Sequence, residues 1–220
     1  MSKMKFVLVG CGRIATLHVA GYQNNVDAEL WGVYDINKAA ANKFACEYGI
    51  SKVYSSYEEV LADPEVTAVE LLLPHHLHCE FTVKACSAGK HVSVQKPMAM
   101  NLEECDTMIK AAKDNGVKLK VFENFVFYPP YQLAKKMLDD GEIGTPAGIR
   151  LKMNNASLAS RNMLTARKKT NTGCTEMDEN IAETGWKVDL KSWVWRLNDT
   201  LSGGGPTVFD DGYHKFSIII

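Results

Sequence analysis

Short apolar runs alternate with longer segments of helical spacing over the first half of the chain. The runs with strand character are Lys5–Val9, Glu29–Asp35, Ala68–Leu73, His91–Val94 and Lys118–Phe122. The segments with helical spacing are Arg13–Gln23, Lys38–Tyr48, Glu80–Ala88 and Leu102–Asn115. Apolar strands that are each followed by a helix are typical of a parallel sheet covered by helices on both faces. The pattern therefore predicts an α/β domain over residues 1–124.

Beyond residue 124 the regular alternation stops. One further helix, a glycine turn and one strand are predicted, at Tyr131–Leu138, Gly141–Gly144 and Ala147–Met153. Residues 154–199 are polar and only weakly patterned, and the sequence ends on the apolar run Phe216–Ile220. Because domains usually end in polar, solvated residues, we expect residues 125–220 to be a partial α+β domain that is truncated inside a buried element.

Composition and charge narrow the class of protein. The 220 residues are 46% hydrophobic and 23% charged, with a net charge of −1, which is the balance of a globular chain. A net charge near zero does not favour binding to nucleic acid, and no apolar run is long enough to cross a membrane. The six cysteines are scattered without a C-x-x-C pair, as in reduced proteins. We expect a cytoplasmic protein with neither nucleic acid nor membrane as a partner.

A glycine-rich turn directly follows the first predicted strand. Its sequence is Gly10-Cys11-Gly12-Arg13-Ile14-Ala15, which matches the G-x-G-x-x-A pattern of a strand–turn–helix unit that binds dinucleotides. Asp35 ends the second strand, where a carboxylate binds the hydroxyls of the adenosine ribose. These residues predict a Rossmann domain whose cofactor contacts include Gly10, Gly12, Arg13, Ile14 and Asp35. NAD is favoured over NADP, because an acid repels a 2′-phosphate and residues 36–41 contain no arginine.

Two further groups of polar residues follow predicted strands. Pro74, His75 and His78 come after the third strand, and their spacing does not fit a metal site, so we predict no metal and place them beside the nicotinamide half of the cofactor. Gln95 and Lys96 end the fourth strand at the same edge of the sheet. On its own, Lys96 is indistinguishable from an ordinary solvated lysine.

Taken together, these motifs resemble the Gfo/Idh/MocA family of NAD(P)-dependent sugar and polyol oxidoreductases. The segments that carry the resemblance are Gly10–Ala15, His18, Asp35, Pro74 with His78, Gly89–Val92, Gln95–Pro97, Glu123–Asn124, Gly141–Gly144, Gly203–Gly205 and the late D-x-G-x-H from Asp210 to His214. They occur in the family's order over nearly the whole chain.

The resemblance implies an activity and a set of site residues. It implies hydride transfer between a nicotinamide and a secondary alcohol or ketone of a sugar, inositol or related polyol, with Lys96, Asp210 and His214 as catalytic residues. Gln95, Lys96 and Asn124 join the cofactor contacts, and a complete second domain implies a homo-oligomer. The chain departs from the family pattern at Gln95, where a glutamate is usual, and in Asn124–Phe127, which lacks an arginine common in that region.

Several alternatives stay open at this level. The same cofactor chemistry supports NAD-dependent glycosidases and epimerases, and a cofactor-binding regulator without turnover would keep the Rossmann motifs. Trp193, Trp195 and Arg196 are suited either to a carbohydrate site or to core packing.

Overall fold

The computed structural model describes residues 3–150 and His214. Five parallel strands form one sheet in the order β2-β1-β3-β4-β5. The strands are β1 (Met4–Val9), β2 (Ala28–Tyr34), β3 (Ala68–Leu71), β4 (His91–Gln95) and β5 (Leu119–Phe122). The helices between them are α1 (Arg13–Tyr22), α2 (Lys38–Tyr48), α3 (Tyr57–Ala62), α4 (His78–Ser87) and α5 (Leu102–Asp114). The predicted α/β fold with a parallel sheet is confirmed.

The sheet is buried on both faces because its central strands are mostly apolar. On β1, Leu8 packs with Ala15 and Val19 of α1 in one hydrophobic cluster. Its neighbours Val7 and Val9 point to the opposite face, where they join a second cluster that includes Met108 of α5. Alternation along a strand therefore supplies both cores, and burial of a side chain of this size contributes about 1.5–3 kcal/mol.

Helix α3 was not predicted from the sequence. It has only six residues, so too few apolar positions repeat to show helical spacing. A capping signal marks its start, since the Ser56 hydroxyl accepts a hydrogen bond from the Glu59 amide at 3.1 Å. The Glu59 carboxylate in turn accepts one from the Ser55 amide at 2.8 Å. This S-x-x-E arrangement is the feature from which the helix could have been predicted.

The chain divides into two compact units between Phe122 and Glu123. The described part of the second unit contains a short 3-10 turn (Phe125–Phe127) and helix α6 (Pro129–Asp139), which begins on two prolines. Of the strand predicted at Ala147–Met153, residues 147–150 are exposed coil and residues 151–153 lie outside the described residues. A strand needs a hydrogen-bonding neighbour, and the described residues offer none at 147–150.

Lys90 is a buried lysine that binds the backbone of the loop between α3 and β3. Its side chain is 8% exposed, and its Nζ donates to the carbonyls of Asp63 at 2.7 Å and Val66 at 2.9 Å. Burial lowers the pKa of Lys90. The two carbonyls have a charged partner that replaces water, so the contact ties the start of β4 to the loop before β3.

Replacing Lys90 by methionine tests that contact. Lys90→Met keeps the apolar stem but removes the donor, and we expect the free energy of unfolding to fall by about 2 kcal/mol. Lys110→Met is the matched control, because Lys110 is exposed and pairs with Asp114 one turn away on α5, a contact worth about 0.5 kcal/mol or less. Chemical denaturation measures both variants, and equal losses would contradict the assigned role of Lys90.

Candidate functional site

The carboxyl ends of the strands meet at one edge of the sheet. Strand β1 lies between β2 and β3, so the chain leaves β1 towards one side of the sheet and later returns on the other. In open parallel sheets, ligands bind in the crevice at such a reversal of strand order. Gly10, Asp35, Pro74 and Lys96 all follow the carboxyl ends of their strands, and the sheet therefore collects them at this edge.

The first glycine of the turn is required by the backbone. Gly10 has a φ of +103°, and a Cβ at this position would lie 2.4 Å from the carbonyl oxygen of Leu72. Any side chain would therefore collide with the segment that follows β3. The amide of Gly10 donates to Tyr34 at 2.8 Å, which also holds the turn against the end of β2.

The second glycine faces open space. Gly12 is the N-cap of α1, and a Cβ built on it meets no atom of the described residues within 4 Å. Within the same part of the chain, no side chain caps helix α1, and its first turn contains no acidic residue. Its first residues, Arg13 and Ile14, are partly buried. An uncapped helix N-terminus with positive dipole and room in front of it is the environment in which proteins bind phosphate groups.

Asp35 is oriented by backbone donors on both sides. Its Oδ2 accepts from the Cys11 amide at 2.8 Å and its Oδ1 from the Asn37 amide at 2.7 Å. The carboxylate therefore lies against the glycine turn. Burial, followed by the charge of Asp35, raises the pKa of the Cys11 thiol to about 12, so this thiol remains protonated.

Two of the predicted cofactor residues are fully buried. His78 is 0% exposed, and its ring nitrogens lie 2.9 Å from the carbonyls of Leu73 and Pro97. His75 is 1% exposed, in the 3-10 turn that Pro74 begins. Burial lowers the pKa of His78 more than the two carbonyls raise it. The His78 ring joins the loop after β3 to the loop after β4, so it holds the Lys96 segment in place.

A path of hydrogen-bonded polar side chains runs across the sheet and ends at the backbone of Lys96. The Lys96 amide donates to the Gln95 Oε1 at 2.9 Å, and Gln95 Nε2 lies 3.2 Å from His18 Nε2. The other ring nitrogen of His18, Nδ1, lies 2.5 Å from the buried carboxylate of Glu70. Tyr22, one turn after His18 on α1, donates to the second oxygen of Glu70 at 2.5 Å.

The second unit contains its own carboxylate–histidine pair. His214 Nδ1 lies 2.7 Å from Oε2 and 2.9 Å from Oε1 of Glu123. Glu123 is buried and also accepts from the Phe125 amide at 2.8 Å, and the Phe125 ring meets the edge of the His214 ring. A buried carboxylate on Nδ1 orients an imidazole and sets its tautomer. Asn124 directly precedes the 3-10 turn beside this pair, and its side chain makes no capping hydrogen bond to that turn.

Several predicted residues lie outside the described part of the chain. They are Asp210, Trp193, Trp195 and Arg196. Within residues 3–150 and His214, no group of three or more histidine, cysteine or acidic side chains could hold a metal ion. No helix among these residues is both long and apolar enough to span a membrane.

Three site residues received no role from the sequence. His18 and Glu123 occur in the family motifs, but their partners are distant in sequence, so a spacing argument could not pair them. Glu70 had a detectable signal, because it is the one charged residue in the apolar run Ala68–Leu73. A carboxylate in a central strand of a parallel sheet requires a buried partner, which His18 and Tyr22 provide.

Residues 4–123 match the family model described as "Oxidoreductase family, NAD-binding Rossmann fold", the Gfo/Idh/MocA model. The chain belongs to the Gfo/Idh/MocA family. It is 34% identical over 145 residues to scyllo-inositol 2-dehydrogenase (NAD(+)) of Bacillus subtilis, a match that covers 66% of this chain and 42% of the relative. The matched part of this Gfo/Idh/MocA chain spans less than half the length of the first curated relatives.

Solved structures of the family show the same fold. The WlbA dehydrogenase of Bordetella pertussis, in complex with NADH and UDP-GlcNAcA, is 34% identical with a TM-score of 0.61 over 65% of this chain and 44% of that one. A variant 3-ketoreductase of Actinomadura kijaniata, in complex with TDP-benzene and NADP, is 26% identical with the same TM-score of 0.61 over 65% of this chain and 46% of that one. Relatives therefore bind either nicotinamide cofactor.

The glycine turn of this Gfo/Idh/MocA chain fits a dinucleotide. The open space in front of Gly12 is where a pyrophosphate would approach the first amides of α1, and Asp35 lies beside the turn to meet a ribose. A bound nicotinamide would supply the redox chemistry, and the residues of the turn would bind and orient the cofactor.

Filling the space in front of Gly12 separates binding from folding. We expect Gly12→Ala to weaken NADH binding about tenfold or more, because its methyl group would occupy the phosphate position without meeting protein atoms. Gly21→Ala is the control, since Gly21 also faces open space but lies at the far end of α1. Fluorescence titration with NADH measures both variants, and equal affinities would contradict the placement of the phosphate.

Proposed function

We propose that this protein is an NAD-dependent oxidoreductase that transfers a hydride between the nicotinamide and a secondary alcohol or ketone of a sugar, inositol or related polyol. The observation that carries the proposal is Lys96 at the carboxyl end of β4, on the edge of the sheet that also carries the Gly10–Ile14 turn and Asp35. Membership of the family and the polyol and sugar specificities named for its relatives support the substrate class.

The proposed chemistry needs a group that exchanges the hydroxyl proton while the hydride moves. Lys96 lies at the crevice edge and is proposed to polarise the substrate oxygen, and His214 is the proposed acid–base residue because an imidazole can both accept and donate a proton. Glu123 holds Nδ1 of His214, and Nε2 is the nitrogen that we propose to exchange the proton. Asp210 is the proposed third member of the catalytic set.

The proposed cofactor contacts follow the sheet edge. Gly10 and Gly12 admit the pyrophosphate, with Arg13 and Ile14 at the helix N-terminus. Asp35 binds the ribose hydroxyls, and Gln95 at the end of β4 and Lys96 directly after it are proposed to meet the nicotinamide. Pro74, His75 and His78 act by shaping that loop, since both histidines are buried. Asn124 remains a proposed contact from the second unit.

Asp35 is proposed to select NAD over NADP. Its carboxylate would repel a 2′-phosphate, so we expect wild-type protein to bind NADH at least about tenfold more tightly than NADPH. Asp35→Ser keeps one side-chain oxygen near the amides of Cys11 and Asn37 but removes the charge, and we expect it to shift this ratio towards NADPH by about tenfold.

The control removes the same charge at the other end of β2. Asp27 precedes β2 and is exposed, so Asp27→Ser should leave the ratio of affinities unchanged. Titration with NADH and NADPH measures all three proteins. A wild-type preference for NADPH would overturn the assignment of the cofactor.

Loss of Lys96 distinguishes an enzyme from a regulator that only binds cofactor. In a screen of inositols and sugars with NAD, we expect wild-type protein to form NADH steadily. We expect Lys96→Met to lower kcat by about 100-fold or more, with NADH affinity changed only a few-fold. Lys110→Met on the exposed face of α5 is the control and should keep full activity.

The remaining outcomes decide between the alternatives. Cofactor binding without turnover on any substrate in the wild type would indicate a regulator. Release of an aglycone without net NADH would indicate transient oxidation, as in a glycosidase or epimerase, and would overturn the proposed net dehydrogenation.

A further inference from the structure

A buried carboxylate lies on the central strand of the sheet, outside the expected catalytic set. Glu70 is 1% exposed and lies on β3, in register with Leu8 of β1 and Ser93 of β4. Leu8 faces α1, and Glu70 faces the same side, where it meets His18 and Tyr22. Burying a carboxylate lowers the stability of the fold unless the group is well hydrogen-bonded, so the presence of Glu70 on a central strand suggests a specific role.

The hydrogen bonds from Glu70 to Lys96 have one consistent direction. The Lys96 amide can only donate, so the Gln95 atom that meets it is the carbonyl oxygen Oε1. Gln95 therefore presents its amide nitrogen to His18 Nε2, which must accept. His18 then carries its proton on Nδ1 and donates it to Glu70. The donor and acceptor roles in each hydrogen bond therefore determine those in the next.

We propose that Glu70 is a positioning residue for Lys96 and acts through His18 and Gln95. This inference rests on the proposed function, in which Lys96 contacts the substrate oxygen. The carboxylate holds the His18 tautomer, the ring nitrogen holds the Gln95 amide, and the Gln95 oxygen holds the Lys96 backbone. Phe122, paired with Gln95 across β4 and β5, packs edge-on against the His18 ring and limits its rotation.

The hydrogen-bond path from Glu70 to Lys96 also accounts for the glutamine at position 95. A glutamate there would present an oxygen to His18 Nε2 while Glu70 already occupies Nδ1. His18 would then need two protons to satisfy two carboxylates. With Glu70 on the neighbouring strand, glutamine is the side chain that can accept from Lys96 and donate to His18 at the same time. We therefore infer that Glu70 and Gln95 depend on each other.

The test removes the carboxylate without leaving a cavity. Glu70→Met keeps the length of the side chain but leaves the His18 and Tyr22 donors without their acceptor, so we expect some loss of stability and specify that the kinetics are measured well below the melting temperature of the variant. We expect Glu70→Met to lower kcat about tenfold or more while KM for NAD changes less than about twofold. Glu70→Gln can still accept from His18 and should recover most of the activity.

Tyr22→Phe is the matched control. It removes the other hydrogen bond to Glu70 but leaves the path through His18 and Gln95 intact. We expect its kcat to stay within about twofold of the wild type. Loss of activity in Tyr22→Phe equal to that in Glu70→Met would overturn the proposal, because the effect would then follow the buried cluster rather than the path to Lys96.

Nitrogen NMR tests the same hydrogen-bond path without measuring enzyme activity. In the wild type we expect the His18 ring to carry its proton on Nδ1. The Lys96 backbone amide resonance should move in Glu70→Met and stay in place in Tyr22→Phe. A wild-type protein without turnover but with these signals would defeat the proposed function and leave the positioning role standing. An unmoved Lys96 resonance together with unchanged kcat in Glu70→Met would overturn the positioning role itself.

Discussion

The site depends on the close approach between the turn after β1 and the segment after β3. The Leu72 carbonyl lies where a Cβ on residue 10 would be, so only glycine lets the two segments lie side by side. That approach brings the N-terminus of α1 and the loop containing Pro74 and His75 to the same edge of the sheet. His78 then joins this edge to the loop of Lys96 through two backbone carbonyls. The candidate cofactor residues are thus arranged by backbone geometry before any ligand is considered.

Buried carboxylates orient two histidine rings, as backbone geometry arranges the cofactor residues. Glu70 in the first unit and Glu123 in the second each bind the Nδ1 of a histidine. A buried carboxylate is unfavourable unless it is hydrogen-bonded, and each of these two has a second donor, from Tyr22 and from the Phe125 amide. Such satisfied pairs define the orientation of an imidazole ring more firmly than apolar packing does, because hydrogen bonds are directional.

The elements of the first unit were largely predictable, and the reason is local. Each strand is a short apolar run and most helices are long enough for their spacing to be recognised, so the α/β class follows from nearest neighbours in sequence. Helix α3 was missed because six residues carry too little periodicity, and only its Ser56–Glu59 cap marks it. The segment at 147–150 has the composition of a strand, but the described part of the chain offers it no hydrogen-bonding partner.

The sequence by itself determined the glycine turn, the acid at the end of β2, the lysine after β4 and the family to which these motifs belong. Each of these features is a short motif whose chemistry is read along the chain. Only the tertiary structure decided that His78 is a buried link between loops, that Glu123 holds His214, and that Glu70 reaches Lys96 through two side chains. At their longest steps, those contacts join residues that are 19, 91 and 77 positions apart in the sequence. Spacing cannot predict such pairs, because the packing of α1 on the sheet and the order of the strands bring them together.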